Sequence, residues 1–129
     1  LHAEGATCLH LACSEGAGEI VSLLLDRHRW DPSQRNREHR TVLHCAVIAQ
    51  NSSIVNLLLK KMSTEDFINI QDGHKMTALM TAVKMNSKEI VHLLLDHGAS
   101  VSILGPDERT CLHLAVQCNK VEIVQVLMN

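Results

Sequence analysis

The stretch Thr7-Cys8-Leu9-His10-Leu11-Ala12, followed by Glu19-Ile20-Val21-Ser22-Leu23-Leu24-Leu25, decides the fold because the chain repeats this pair of phrases four times. The copies begin at Thr7, Thr41, Thr77 and Thr110. In each copy an Ile-Val pair lies thirteen residues after the threonine, and a triplet of large aliphatic residues begins sixteen residues after it. Such a constant period is typical of a stack of similar small units rather than of one central core.

Each unit is predicted to be two antiparallel helices joined by a short turn. In the first copy Thr7 can cap a helix after a tight turn at residues 4–7, and the apolar residues then recur at helical spacing. The turn between the helices recurs at Gly16, Gln50, Asn86 and Asn119. Glycine and asparagine tolerate a left-handed backbone, whereas glutamine does so poorly, so we expect strain or an altered turn at Gln50.

Composition and charge narrow the possible functions. Hydrophobic residues make up 46% of the 129 residues but aromatic residues only 2%, which predicts thin aliphatic layers and no aromatic-lined catalytic or nucleotide-stacking pocket. The formal net charge of −2 provides no strong field for nucleic acid or a membrane surface. Five cysteines without framework spacing, no signal peptide and no long apolar span indicate a cytoplasmic or nuclear protein. Because the chain begins at Leu1, we expect it to be a fragment of a larger array or protein.

The units differ in length only in the linkers that connect a second helix to the next threonine. Successive threonines are 34, 36 and 33 residues apart, and every insertion falls between a second helix and the next threonine. The first linker, residues 26–40, carries five arginines against three acids. In the second linker, residues 63–66 can start an extra helical turn that Phe67 and Ile68 pin to the body.

These phrases resemble the ankyrin repeat, whose period is about 33 residues and whose signature is Thr-Pro-Leu-His-x-Ala. All four copies match except at the proline, and Met80 replaces the histidine of the third copy, which should cost that unit the histidine's hydrogen bonds. The glycine usual two residues before the threonine survives only as Gly5, which leaves the geometry of the last three hairpins open. The resemblance implies an all-α repeat solenoid of helix-turn-helix pairs with projecting β-hairpin fingers. It implies one domain over residues 1–129, with repeats at approximately 4–36, 37–71, 72–104 and 105–129.

The resemblance also implies a function and a surface. Family members bind other proteins along the fingers and first helices, as scaffolds, adaptors or regulatory subunits in signalling. Carried onto this chain, the predicted partner-binding residues are Arg35, Arg37, Arg40, Ile48, Gln71, His74, Met76, Lys84, Met85, Arg109 and Gln117. Arginines beside exposed Ile48, Met76 and Met85 predict a partner segment with acidic or phosphorylated groups and apolar side chains.

Other interpretations compete with this one. The arginine-rich linker is equally compatible with a solvated loop. Both ends of the stack lack polar caps, with Leu9 and residues 121–128 predicted to expose apolar faces, so the alternative function is a structural block that makes intramolecular or self-association contacts. Nucleic acid has little support because no aromatic residues accompany the positive charge, and no segment predicts membrane insertion.

No enzyme, metal or cofactor site is predicted. His10, His44 and His113 occupy the same repeat position, which favours a scaffold role over metal ligands that would have to converge. In Cys8-x-His10-x-x-Cys13 the side chains do not all share a helix face and a fourth ligand is missing, so the cysteines are interpreted as small buried hydrophobes. Cys118 lies near the open face and is the cysteine expected to react with thiol reagents. No nucleophile with a base and no phosphate loop is present.

Overall fold

The computed structural model describes residues 2–27, 35–36, 39–61 and 67–128, with side chains from residue 8 onward. Within these residues the chain forms eight α-helices in four pairs. The pairs are α1 (His2–Ser14) with α2 (Gly18–Arg27), α3 (Val42–Ile48) with α4 (Ser52–Lys61), α5 (Ala78–Lys84) with α6 (Lys88–Asp96), and α7 (Cys111–Gln117) with α8 (Val121–Met128). A short 3-10 helix, Pro106–Glu108, precedes α7.

The helix pairs stack in two layers. First helices α1, α3, α5 and α7 pack against one another in that order, and second helices α2, α4, α6 and α8 form a parallel row behind them. This confirms the predicted all-α repeat solenoid. No strand occurs among the described residues, so the fingers are tight turns rather than paired β-strands.

Threonine caps three of the four first helices, as predicted. Thr41, Thr77 and Thr110 each have an extended backbone, and each side chain accepts a hydrogen bond from the amide three residues on. The prediction for the first unit is wrong, because α1 begins at His2 and runs through Thr7 without the expected turn at residues 4–7. That segment contains the good helix formers Ala3, Glu4 and Ala6, and the helix continues through Gly5 at a cost of about 1 kcal/mol.

The turns between helices share one geometry. Gly16, Gln50, Asn86 and Asn119 all have positive φ, between 57° and 74°. The expectation of an altered turn at Gln50 is therefore wrong, since Gln50 has φ 57° and its amide donates to the Val47 carbonyl at 2.9 Å, as in a regular unit. Gln50 still carries the conformational free-energy cost of a non-glycine residue in the left-handed region of the backbone map.

The three finger turns, residues 36–40, 72–76 and 105–109, also match one another. In each finger the first amide donates to the carbonyl four residues on, at 2.8 to 2.9 Å, and the fourth amide donates back to the first carbonyl. The fourth residues, His39, Lys75 and Glu108, have φ of 63°, 65° and 56°. The turn geometry thus persists although none of these residues is the usual glycine.

The core is aliphatic and continuous along the stack, and Phe67 and Ile68 are buried in it as predicted; residues 63–66 lie outside the described residues. The two ends differ from the middle. Leu9 is buried, contrary to the prediction, because it faces α3, while the exposed apolar side chains of the first unit are Leu11, Ile20 and Leu23. At the other end Val121 and Met128 are exposed as expected, although Ile123 between them is buried.

Candidate protein-interaction surface

The predicted partner-binding residues that the structure describes lie in or next to the fingers and in the C-terminal turns of α3, α5 and α7. We call these positions together the groove face. Its exposed members are Arg35, His74, Lys84, Arg109 and Gln117, and its half-buried members are Arg40, Ile48, Gln71, Met76 and Met85. Arg37 lies outside the described residues.

The apolar members of the groove face are less accessible than predicted. Ile48, Met76 and Met85 were expected to be exposed, yet all three are half-buried. Met76 packs against the core, and its carbonyl oxygen accepts a hydrogen bond from a histidine of the preceding unit. The finger that carries Met76 is thus held against its neighbour, which covers part of the side chain.

Histidine side chains join the first and second units to the finger of the unit that follows each. His10 Nε2 lies 3.0 Å from the Arg40 carbonyl oxygen, and His44 Nε2 lies 2.9 Å from that of Met76. In the second case the Thr41 amide donates to His44 Nδ1, so the proton resides on Nε2, which donates to Met76. Burial lowers the pKa of His44 and keeps the ring neutral. These contacts support the scaffold interpretation of the repeated histidine.

The third unit replaces this hydrogen bond by packing. Met80 is buried, and a Cβ at Gly105 would lie 2.5 Å from the Met80 sulfur. Gly105 occupies the first position of its finger, where the other fingers have Asn36 and Asp72. The methionine therefore fills space that the glycine leaves open, and the lost histidine contact is confirmed.

The side chain of Gln71 forms hydrogen bonds within the stack of repeats. Its side-chain amide donates to the Lys75 carbonyl and to the Leu104 carbonyl, both at 2.7 Å. The residue thereby connects its own finger to the segment that leads into the next. Because both donors of the amide group are engaged, a partner can use only its carbonyl oxygen.

Arg109 and Gln117 are joined by a hydrogen bond of 2.6 Å from the guanidinium to the side-chain oxygen. They form the rim of an open cleft of about 370 Å³, whose other lining residues are Leu112, His113 and Val116. Sequence reasoning missed Leu112 and Val116, because their counterparts in the other units belong to the core. Their place in the last copy of the phrase is the signal that could have identified them.

The charges on the two layers are arranged differently. The ion pairs Lys61 with Asp26 and Lys88 with Glu122 both join neighbouring second helices, away from the groove face. On the groove face, neither Lys84 nor Arg109 forms an ion pair with any residue that the structure describes. These two cations are therefore available to a negatively charged ligand.

The cysteines divide into buried and exposed groups. Cys13, Cys45 and Cys111 are buried, as the interpretation as small hydrophobes requires, and burial raises the pKa of Cys13 to about 12. Cys8 is exposed, contrary to that interpretation. Cys118 is exposed as expected. Across the described part of the chain, no three His, Cys, Asp or Glu side chains converge in a group that could hold a metal ion.

No helix in the described ranges combines the length and apolar character needed to cross a membrane.

Comparison with known proteins agrees with the geometry of the units. The family model described as ankyrin repeats (3 copies) matches residues 1–72 and 64–129. The B-cell lymphoma 3 protein homolog of Mus musculus is 34% identical over 131 residues, covering 99% of this chain and 29% of the relative. Inversin of Canis lupus familiaris is 35% identical over 84% of this chain and 10% of its own length. The nuclear factor NF-kappa-B p105 subunit of Gallus gallus is 31% identical over 95% of this chain and 12% of its own length. The chain thus spans less than a third of each of these relatives.

Proposed function

The chain belongs to the ankyrin-repeat family, and on that premise we propose that it is a single protein-binding domain over residues 1–129 that acts as a scaffold, adaptor or regulatory module. Its partner is a segment of another protein that carries carboxylates or phosphates together with aliphatic side chains. The segment lies along the groove face. The free thiols of all five cysteines favour work in the reducing cytoplasm or nucleus.

One observation carries this proposal: Lys84 and Arg109, which form no ion pair with any residue that the structure describes, occupy the same repeat positions as the half-buried Ile48 of the second unit and Met76 of the third. Lys84 and Gln117 occupy the same register position on α5 and α7, and Ile48 occupies it on α3. Arg109 is bonded to Gln117, which holds the guanidinium beside α7. A partner segment that runs across the units meets aliphatic surface at α3 and positive charge at α5 and α7. Apolar packing and electrostatic attraction then both contribute to its binding.

The ends of the stack favour a second candidate, a structural block that makes intramolecular or self-association contacts. Leu11, Ile20 and Leu23 are more than half exposed at one end, and Val116 and Met128 at the other. Sedimentation velocity across a wide concentration range tests self-association. A single monomeric species at every concentration would count against self-association as the function.

Calorimetric titration tests the groove-face proposal with a defined ligand. A short peptide of alternating glutamate and leucine, and its phosphoserine counterpart, serve as probes, and a lysine-leucine peptide serves as the control. The acidic peptides are expected to bind, whereas the lysine peptide is not.

Replacing Lys84 and Arg109 together by glutamate should weaken acidic-peptide binding by about 2 kcal/mol, or roughly thirtyfold. Both side chains are exposed, so the melting temperature should change little. Lys60→Glu, at an exposed position on α4, is the matched control and should leave affinity unchanged apart from a small general charge effect. Equal affinities for the double variant and the control would contradict the placement.

A further inference from the structure

The three finger turns form a continuous row along the groove face. A Cβ at Gly73 would lie 3.3 Å from the His39 side chain in the preceding finger, and a Cβ at Gly105 would lie 3.2 Å from the Lys75 carbonyl oxygen. The absence of a side chain at these two glycines therefore lets each finger approach the one before it. Packed helices lie about 8–10 Å apart, so a ligand along the groove face meets successive fingers at about this spacing.

The charge of this finger row reverses between its second and third fingers. Lys75 and Glu108 occupy the same position in their fingers, and both are exposed. Asp107 adds a second exposed carboxylate to the third finger, whereas Asp72 of the second finger accepts hydrogen bonds from two amides of its own turn. At the first finger the exposed Arg35 donates to a finger carbonyl at 3.3 Å.

These charges are open to a ligand. Lys75 and Glu108 carry opposite charges on adjacent fingers, yet within the described ranges neither they nor Asp107 take part in an ion pair. Arg109, the cation of the third finger, donates to Gln117 on α7 and so lies on the helix side of its finger. The tip of the third finger is therefore acidic, while the first two fingers present cations.

An exposed apolar side chain accompanies the acidic finger. Leu104, directly before this finger, is 54% exposed, and it occupies the repeat position of Arg35, six residues before a capping threonine. From the first finger to the third, cations thus give way to carboxylates, and a charged side chain gives way to an aliphatic one. These two independent changes along the row fit a ligand whose chemistry also changes along its length.

We propose that the finger row selects a partner segment whose charge reverses along its length: an acidic stretch faces the first two fingers, and a basic stretch with aliphatic side chains faces the third. This selectivity rests on the function proposed above, because the same segment lies on the groove face. Side chains of an extended segment alternate between its two edges, so its charged residues can face the fingers while their neighbours face the first helices. A uniformly acidic segment meets Asp107 and Glu108 with like charge, which the reversed pattern avoids.

Calorimetric titration with three peptides of equal length tests the charge reversal. The two-block peptide is Glu-Leu-Glu-Leu-Lys-Leu-Lys-Leu, the mixed peptide Glu-Leu-Lys-Leu-Glu-Leu-Lys-Leu has the same composition, and the third is the glutamate-leucine peptide. We expect the two-block peptide to bind the 129-residue chain about fivefold more tightly than either of the others, because only its pattern matches all three fingers. The advantage should vanish at about 1 M salt, where charges are screened within about 3 Å.

Matched variants assign the advantage to the third finger. Asp107→Asn with Glu108→Gln removes both carboxylates while keeping the shapes of the side chains, and asparagine tolerates the positive φ of residue 107. In this double variant the advantage of the two-block peptide should fall below about twofold. Glu89→Gln with Asp96→Asn changes the net charge equally at exposed positions on α6 and should keep the advantage.

Equal affinities of the two-block and mixed peptides would overturn the proposed selectivity, as would an advantage that persists in the double variant at residues 107 and 108. If the glutamate-leucine peptide still binds in either case, the function proposed above stands. If none of the three peptides binds, both proposals fail.

Discussion

At the scale of the residue, backbone strain is confined to the connections. The non-glycine residues with positive φ are His39, Gln50, Lys75, Asn86, Asp107, Glu108 and Asn119 in the described ranges. Each lies in a finger or in a turn between helices. Asparagine and aspartate tolerate this region better than glutamine does, so Gln50 carries a cost that Asn86 and Asn119 largely avoid.

Gln50→Gly should stabilise the protein by about 0.5–1 kcal/mol, because relief of the left-handed strain exceeds the added entropy of the unfolded chain. Equilibrium urea denaturation measures the change. Gln50→Ala is the control: it removes the side chain but keeps the Cβ, so it should give no comparable gain. If the alanine variant were as stable as the glycine variant, backbone strain would not be the cause.

At the scale of the element, adjoining units are joined by different contacts at the same repeat position. His44 pairs with the finger carbonyl of Met76, whereas Met80 pairs with the space left by Gly105. A histidine in place of Met80 would meet a finger that lacks the side-chain oxygen with which Asp72 bonds its own turn. The junction between the third and fourth units therefore has a different chemistry from the junction between the second and third, although the helices occupy the same positions in the repeat.

The neutral His44 ring makes the junction between the second and third units sensitive to acid. Its lowered pKa means that the unfolded chain takes up a proton near pH 6.5 while the folded chain does not. The contribution of the neutral His44 ring to the free energy of unfolding is fully present above pH 6.5. It is lost as the pH falls from 6.5 toward the lowered pKa of the folded state. The decrease cannot exceed about 1.4 kcal/mol per pH unit, the limit for one proton. The negative charge of Asp72 raises the pKa of His44, whereas the positive charges of Arg35 and Arg40 lower it further.

Unfolding free energies at pH 7.5 and 5.5 test this assignment. His44→Gln should reduce the difference between the two pH values, although the variant is less stable at both. His74→Gln, at an exposed position in the adjacent finger, should retain the full difference. An unchanged difference in His44→Gln would assign the acid sensitivity to other groups.

The repeated phrase predicts the elements well because its offsets encode local and neighbouring contacts. Thr41, Thr77 and Thr110 cap helices where expected, since the cap depends only on residues within one turn. The cap predicted at Thr7 is wrong because α1 already begins at His2, and nothing in the repeated phrase indicates that the residues before Thr7 are helical. Gln71 remains a predicted contact residue, and its side chain also bonds the Leu104 carbonyl, which no local pattern shows.

At the scale of the whole molecule, position in the stack decides what a residue does. Leu9 and Leu112 occupy the same place in the phrase, but Leu9 lies in the helix that packs on α3 and is buried, whereas Leu112 is 36% exposed. The sequence pattern is identical at both, so it cannot distinguish core from surface. The repeat positions of the groove face can be assigned from the sequence because they do not depend on neighbouring units, whereas the partial burial of Met76 against the preceding unit cannot.

The function proposed for the groove face is to bind an acidic, partly apolar segment of another protein. The most direct measurement maps amide chemical shifts of the isotope-labelled chain during titration with the glutamate-leucine peptide. We predict saturable shifts concentrated in the fingers and the C-terminal turns of α3, α5 and α7, including Lys84 and Arg109. Saturable shifts concentrated instead on α2, α4, α6 and α8, or an absence of saturable shifts, would contradict the claim.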